Sequence, residues 1–208
     1  MSFSRLLLAG ASSKKYIVGN NGKDRVIVSP KFLNPGPGRE AFEGEVILCF
    51  QIDEESEGDG QVAHSLGFQG DDSRCDGLIF YSQDGESEKI ICLVEMKSTN
   101  LGDADEQIIQ SKTHIKNLLV RECHALPQEC REDCENQINS IKWKACVFHH
   151  GSSPLDIQAI LKRLKSSGFK DVRDFTRADN DARGLLTGEV SAKGLAKKVR
   201  GDNRRHSR

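Results

Sequence analysis

The rhythm of apolar and polar positions changes several times along this 208-residue chain. Residues 15–29, KYIVGNNGKDRVIVS, read as a β-hairpin, with Asn-Asn-Gly supplying the positive φ angles of a tight turn. NPGPG at 34–38 interrupts any regular element. In REAFEGEVILCFQI (39–52), Phe42, Val46, Cys49 and Phe50 fall at i, i+4, i+7 and i+8, which predicts a helix with one apolar face. QVAHSLGF (61–68) predicts a short strand. CDGLIFYS (75–82) and KIICLVEMKS (89–98) predict stronger strands, joined by a loop whose Asp-Gly is a hairpin signal.

Helical period returns over 103–122. There Ile108, Ile115 and Leu119, flanked by Ile109 and Leu118, form a stripe behind Asp103 and Asp105, acids that suit a helix N-terminus. IKWKACVFHH (141–150) reads as a strand. SSPLDIQAILKRLKSSGF (152–169) reads as a helix with Ser153 at the N-cap, Pro154 at the first helical position and Gly168 past its end. KDVRDFTR (170–177) completes the set as a last strand. Antiparallel strands followed by helix–strand alternation predict an α/β fold, a mixed sheet with helices on both faces. The division expected is an N-terminal hairpin extension over 1–37, a core over 38–177 and a polar, basic tail over 178–208.

Net charge is −1, but its distribution is uneven. Residues 53–59 (DEESEGD) are acidic, whereas 193–208 hold seven Lys/Arg against one Asp, a composition suited to nonspecific phosphate binding that weakens with salt. No stretch approaches the ~18 apolar residues of a membrane span. RLLLAGA near the N-terminus falls short of a secretory signal, so a cytoplasmic protein is expected. Among seven cysteines, Cys49, Cys92 and Cys146 lie in apolar runs, as reduced, buried thiols do.

The strand 89–98 carries the chemistry. Ile91, Leu93, Glu95 and Lys97 share one face, while Ile90, Cys92, Val94 and Met96 share the other. Both faces are apolar through residue 94, so the strand is central, and charges at its end are costly unless paired or bound to metal. Asp76 opens the preceding strand. Hairpin pairing would set it beside Glu95 and Lys97, and two converging carboxylates with one ammonium suit a divalent cation better than a structural pairing.

An Asp, a hairpin-length gap, then Glu-x-Lys on the next strand resembles the PD-(D/E)XK nuclease superfamily. The matching residues are Asp76 in RCDG and Glu95-Met96-Lys97 in VEMKS. A Glu-x-Lys triplet alone arises about once by chance in a chain of this length, so the weight lies in the surrounding elements. The resemblance covers residues 38–150 and implies a restriction-endonuclease-like fold with an αβββαβ core. It further implies a Mg²⁺-dependent (or Mn²⁺-dependent) endonuclease acting on nucleic acid, DNA in preference to RNA, with a homodimer or a larger defence or repair complex left open. By the same resemblance Asp76, Glu95 and the Met96 backbone carbonyl would hold the metal, with a further glutamate from the first helix: Glu43, or else Glu40 or Glu45. Lys97 would act on the attacking water, and Gln107 in DEQIIQ would complete the catalytic set. Cys75 stands where the family usually has Pro.

Other features are weaker. Cys123, His124, Cys130 and Cys134, with Cys146, His149 and His150, are metal-ligating types, but their spacing matches no tight C-x-x-C knuckle. Lys112 and Lys116, one helical turn apart, suit phosphate contacts, and His149 and His150 end a strand near the presumed site. The competing readings are a catalytically silent nucleic-acid-binding or assembly subunit and a zinc-stabilised interaction module over 123–150.

Overall fold

The computed structural model describes residues 45–53, 61–70, 72–83, 89–97, 100–149, 152–176 and 186. The hairpin expected at 15–29 and the NPGPG break lie outside them. Among the described residues five strands form one sheet in sequential order: β1 (Glu45–Gln51), β2 (Gly77–Gln83), β3 (Lys89–Met96), β4 (Lys142–His149) and β5 (Asp171–Thr176). β1, β2 and β3 run antiparallel, and β3, β4 and β5 are parallel. Among the described residues four helices intervene between these strands: α1 (Gln61–Ser65), α2 (Ala104–His124), α3 (Gln128–Ser140) and α4 (Pro154–Ser166). This is a mixed α/β fold.

The sheet face bearing Phe50, Leu78, Phe80, Ile91, Leu93, Trp143, Ala145 and Val147 meets buried residues from all four helices, including Val62, Ile108, Ile115, Ile138, Ile160 and Leu164. The opposite face gathers Ile79, Tyr81, Ile90, Cys92, Val94, Cys146 and Phe175, and among the described residues its cover is Leu186. The helices α1 to α4 lie on the first face, and Leu186, itself helical, covers the other. Leu186 comes from the stretch read as a polar tail. It is 4% exposed, and its carbonyl accepts a hydrogen bond from the buried Lys144 ammonium at 3.0 Å. Leu186→Ala is expected to destabilise the protein by about 2–5 kcal/mol, read as a lowered urea midpoint.

Two local expectations are corrected, and one helix is added. Residues 45–51 form β1 and not part of a helix. The run VILCF is apolar at every position, so it satisfies helical and strand spacing alike. Its β-branched residues and the ladder offered by β2 decide for strand. Residues 61–65 form α1, not a strand. Its C-terminus closes at Gly67, whose φ of +84° no β-branched residue would tolerate, with the Phe68 N–H donating back to the Ala63 carbonyl at 2.9 Å. Residues 128–140 form α3, which sequence periodicity did not reveal because only Cys134 and Ile138 are buried in it.

The remaining elements follow their sequence signals. Ser153 caps α4 through its hydroxyl, Pro154 opens the helix, and Gly168 at φ +82° turns the chain into β5.

Candidate metal and catalytic site

The antiparallel register pairs Gly77 with Val94, so the residue just before β2 lies beside the residue just after Val94. Asp76 and Glu95 meet there. The Asp76 N–H donates to Glu95 Oε2 at 3.2 Å, and the Met96 N–H donates to Asp76 Oδ2 at 2.5 Å. Each carboxylate is thus fixed by the other strand's backbone. Gly77 permits this approach, since a Cβ there would sit 3.2 Å from the Phe50 carbonyl oxygen of β1. The Ile52 N–H also donates to the Asp76 carbonyl at 2.8 Å.

Glu95 follows Ile91 and Leu93 on the helix-bearing face and is 2% exposed. Burial, and then the charge of Asp76, push its carboxyl up to about 7, against the partial relief given by Lys97. This is not a solvated surface ion pair.

Lys97 Nζ lies 2.9 Å from Glu95 Oε1 and 2.6 Å from Gln107 Oε1, with Asp103 Oδ1 at 3.4 Å. Burial disfavours the ammonium, but Glu95 and then Asp103 outweigh it, so the Lys97 pKa stands above its ordinary value. α2 supplies Asp103 and Gln107 and is tied to the start of β2, where the Cys75 N–H donates to Ser111 Oγ at 2.8 Å. Cys75 itself is buried, which raises its thiol to about 12 and leaves it protonated and inert.

Asp76, Glu95, Lys97 and Gln107 thus meet where β2 begins and β3, the central strand, ends. Glu43 and Glu40 lie outside the described residues. The backbone of Glu45 is the first of β1, in register with Gln83 at the opposite end of β2 from Asp76.

Lys112 is not a free phosphate contact. Its ammonium donates to the Ser167 carbonyl at 2.7 Å and lies 4.6 Å from the Phe169 ring centroid, closing the end of α4. Burial and then Lys116 lower its pKa. Lys116 remains exposed.

His149 is next along β4 from Phe148, whose carbonyl accepts from the Lys97 N–H at 2.8 Å. It is buried, with Asp174 Oδ2 3.4 Å from Nε2 and the Ser152 N–H 3.4 Å from Nδ1. His150 lies outside the described residues. Among the described residues no three Cys, His, Asp or Glu side chains gather as a metal-holding group. Cys123 and Cys134 meet across α2 and α3, Cys130 is exposed, and Cys146 sits on the far face of the sheet.

Sequence reasoning missed two acidic residues' roles. Asp103 occupies the N-cap position of α2 without a side-chain capping bond. Asp105 is buried, with Arg163 Nε 2.7 Å from its Oδ2, close enough for an ion pair but poorly angled for a hydrogen bond. Both were legible only as acids at a helix start.

No protein-family model and no curated protein matches the chain. Among solved structures it is similar to the restriction endonuclease FokI, at 14% identity and a TM-score of 0.32, over 62% of this chain and 23% of that one. The chain therefore spans about a quarter of FokI's length. None of the described helices is long and apolar enough to cross a membrane.

Proposed function

We propose that this chain is a divalent-cation-dependent nuclease of restriction-endonuclease-like fold, hydrolysing phosphodiester bonds in nucleic acid, DNA in preference to RNA. The observation that carries this reading is the buried Glu95 carboxylate held against Asp76, with the Lys97 ammonium on the same carboxylate. The order from β1 to β4, three antiparallel strands, helices and a parallel strand, agrees with the βββαβ portion of the core.

The donors fit Mg²⁺ or Mn²⁺. Asp76 and Glu95 offer hard oxygens, the Met96 carbonyl follows directly in the chain, and the buried Glu95 beside Asp76 brings together negative charge that a cation would compensate. Such a cation, when bound, lowers the pKa of water and offsets charge gathering on the phosphate. The chain's own residues divide the remaining work. Asp76 and Glu95 hold the cation, their spacing set by the two cross-strand backbone bonds. Lys97 orients the attacking water and faces the developing phosphate charge, while Gln107 steadies its ammonium. The free thiols of the described cysteines favour a cytoplasmic setting.

Incubation with plasmid, linear DNA, single-stranded DNA and RNA, with and without Mg²⁺ or Mn²⁺, tests the reading. Cation-dependent cleavage that disappears in Glu95→Gln supports it; intact substrates throughout reject it.

The basic segment supplies affinity and not chemistry. Deleting residues 190–208 retains Leu186 and is expected to weaken DNA binding. It should also flatten the salt dependence by about one log–log unit per lost phosphate contact, without slowing cleavage at saturating DNA. Binding titrations at several salt concentrations, paired with single-turnover assays, check both halves.

A further inference from the structure

An ammonium carries three N–H donors. Among the described residues, Lys97 has three acceptors around it: Glu95 Oε1, Gln107 Oε1 and Asp103 Oδ1. That leaves no donor for a water or a phosphate oxygen. We infer that Lys97 is locked in the metal-free protein and is released from Glu95 when a divalent cation takes that carboxylate. In this inference Asp103 is the positioning residue that, with Gln107, keeps the ammonium in place afterwards. The release half rests on the cation site proposed above; the lock itself does not.

Asp103 has no evident duty in the fold. An aspartate at an N-cap ordinarily accepts a hydrogen bond from the first-turn N–H groups, and this one does not. Its side chain is 63% exposed and directed at Lys97. Gln107 lies one helical turn later, its N–H donating to the Asp103 carbonyl at 2.9 Å, so both acceptors ride on one rigid turn. Glu95 differs from them in being a metal-ligand candidate. A cation on its carboxylate competes for the charge that holds Lys97 and frees one N–H. Without Asp103, the flexible lysine stem would then be anchored by Gln107 alone.

Competitive acetylation with trace acetic anhydride, read by mass spectrometry, reports Lys97 against the exposed Lys116 in parent, Asp103→Ala and Asp103→Glu proteins. Calorimetric Mg²⁺ titration, thermal melting and single-turnover cleavage accompany it. In the metal-free parent Lys97 should label more slowly than Lys116. Asp103→Ala should raise Lys97 labelling several-fold at an unchanged melting temperature, with Asp103→Glu restoring protection, and Mg²⁺ should raise labelling in the parent. Single-turnover cleavage in Asp103→Ala should fall roughly 10- to 100-fold at unchanged Mg²⁺ affinity. Equal labelling of Lys97 and Lys116 in the metal-free parent, or no change in Asp103→Ala, overturns the lock whatever the protein cleaves. Expected labelling without measurable Mg²⁺ binding overturns the release and the cation site, and leaves the hold of Asp103 on Lys97 standing. Mg²⁺ binding that leaves Lys97 labelling unchanged overturns the release alone.

Discussion

Glu95→Gln is expected to abolish cation-dependent cleavage and at the same time to stabilise the metal-free protein above neutral pH. The two effects share a cause. Burial, and then Asp76, raise the folded Glu95 carboxyl to about 7 from an ordinary value of 4.5. Below the lower value the group is protonated in both folded and unfolded chains and costs nothing. As pH rises from 4.5 towards 7 the unfolded chain ionises first, so stability is lost across that window. The loss is complete above it, at about 3 kcal/mol. A neutral glutamine avoids it. Urea unfolding of the metal-free proteins should therefore give matching stabilities in mild acid and a more stable variant at pH 8 or so. Mg²⁺ should then stabilise the parent by mass action and leave the variant unmoved. A variant that cleaves normally, or one less stable than the parent at every pH, would contradict the role given to Glu95.

Lys97→Ala and Asp76→Asn should fail in different ways. Asp76→Asn removes a charge from the proposed cation site, so Mg²⁺ binding should weaken, with raised metal or Mn²⁺ restoring part of the activity. Lys97→Ala takes the ammonium off Glu95 Oε1, now 2.9 Å away, and frees that oxygen. Metal should bind as well as in the parent or more tightly. The loss should appear in the cleavage rate, on the order of 10²–10⁴-fold, because the interaction matters chiefly in the transition state. Calorimetric Mg²⁺ titration with single-turnover kinetics separates the two. If Lys97→Ala loses metal binding while Asp76→Asn keeps it, the roles are reversed from those assigned here.

How far the site was legible depends on the distance over which each signal acts. Asp76, Glu95 and Lys97 could be brought together from sequence because a hairpin has one dominant geometry. Once β2 and β3 were recognised, strand alternation placed the charges on one side and antiparallel pairing placed Asp76 beside them. Gln107 followed from the helix after β3, as the resemblance implied. Asp103 read only as an acid suited to a helix N-terminus. Only the packing of α2 against β3 shows that its carboxylate faces Lys97 and not the helix N-terminus. Lys112 erred in the opposite direction: an exposed-looking lysine is drawn in by the end of α4, 55 residues away in sequence.

By itself the sequence determined the elements with strong local signals: β2 and β3 through alternation and turn chemistry, β4 and β5 as further strands, α2 through its apolar stripe, and α4 through Ser153, Pro154 and Gly168. The tertiary structure decided the rest, where local preference is weak or balanced. The uniformly apolar VILCF became a strand because β2 offers an edge with which to pair. QVAHS became a helix because Val62, Ala63 and Leu66 can then be buried on one side. α3 gains its place from two buried residues, too few to mark it in advance. Tertiary packing also brought Leu186 onto the far face of the sheet and closed three acceptors around one lysine. Spacing along a chain encodes which side of an element a residue takes, but not which distant group will meet it there.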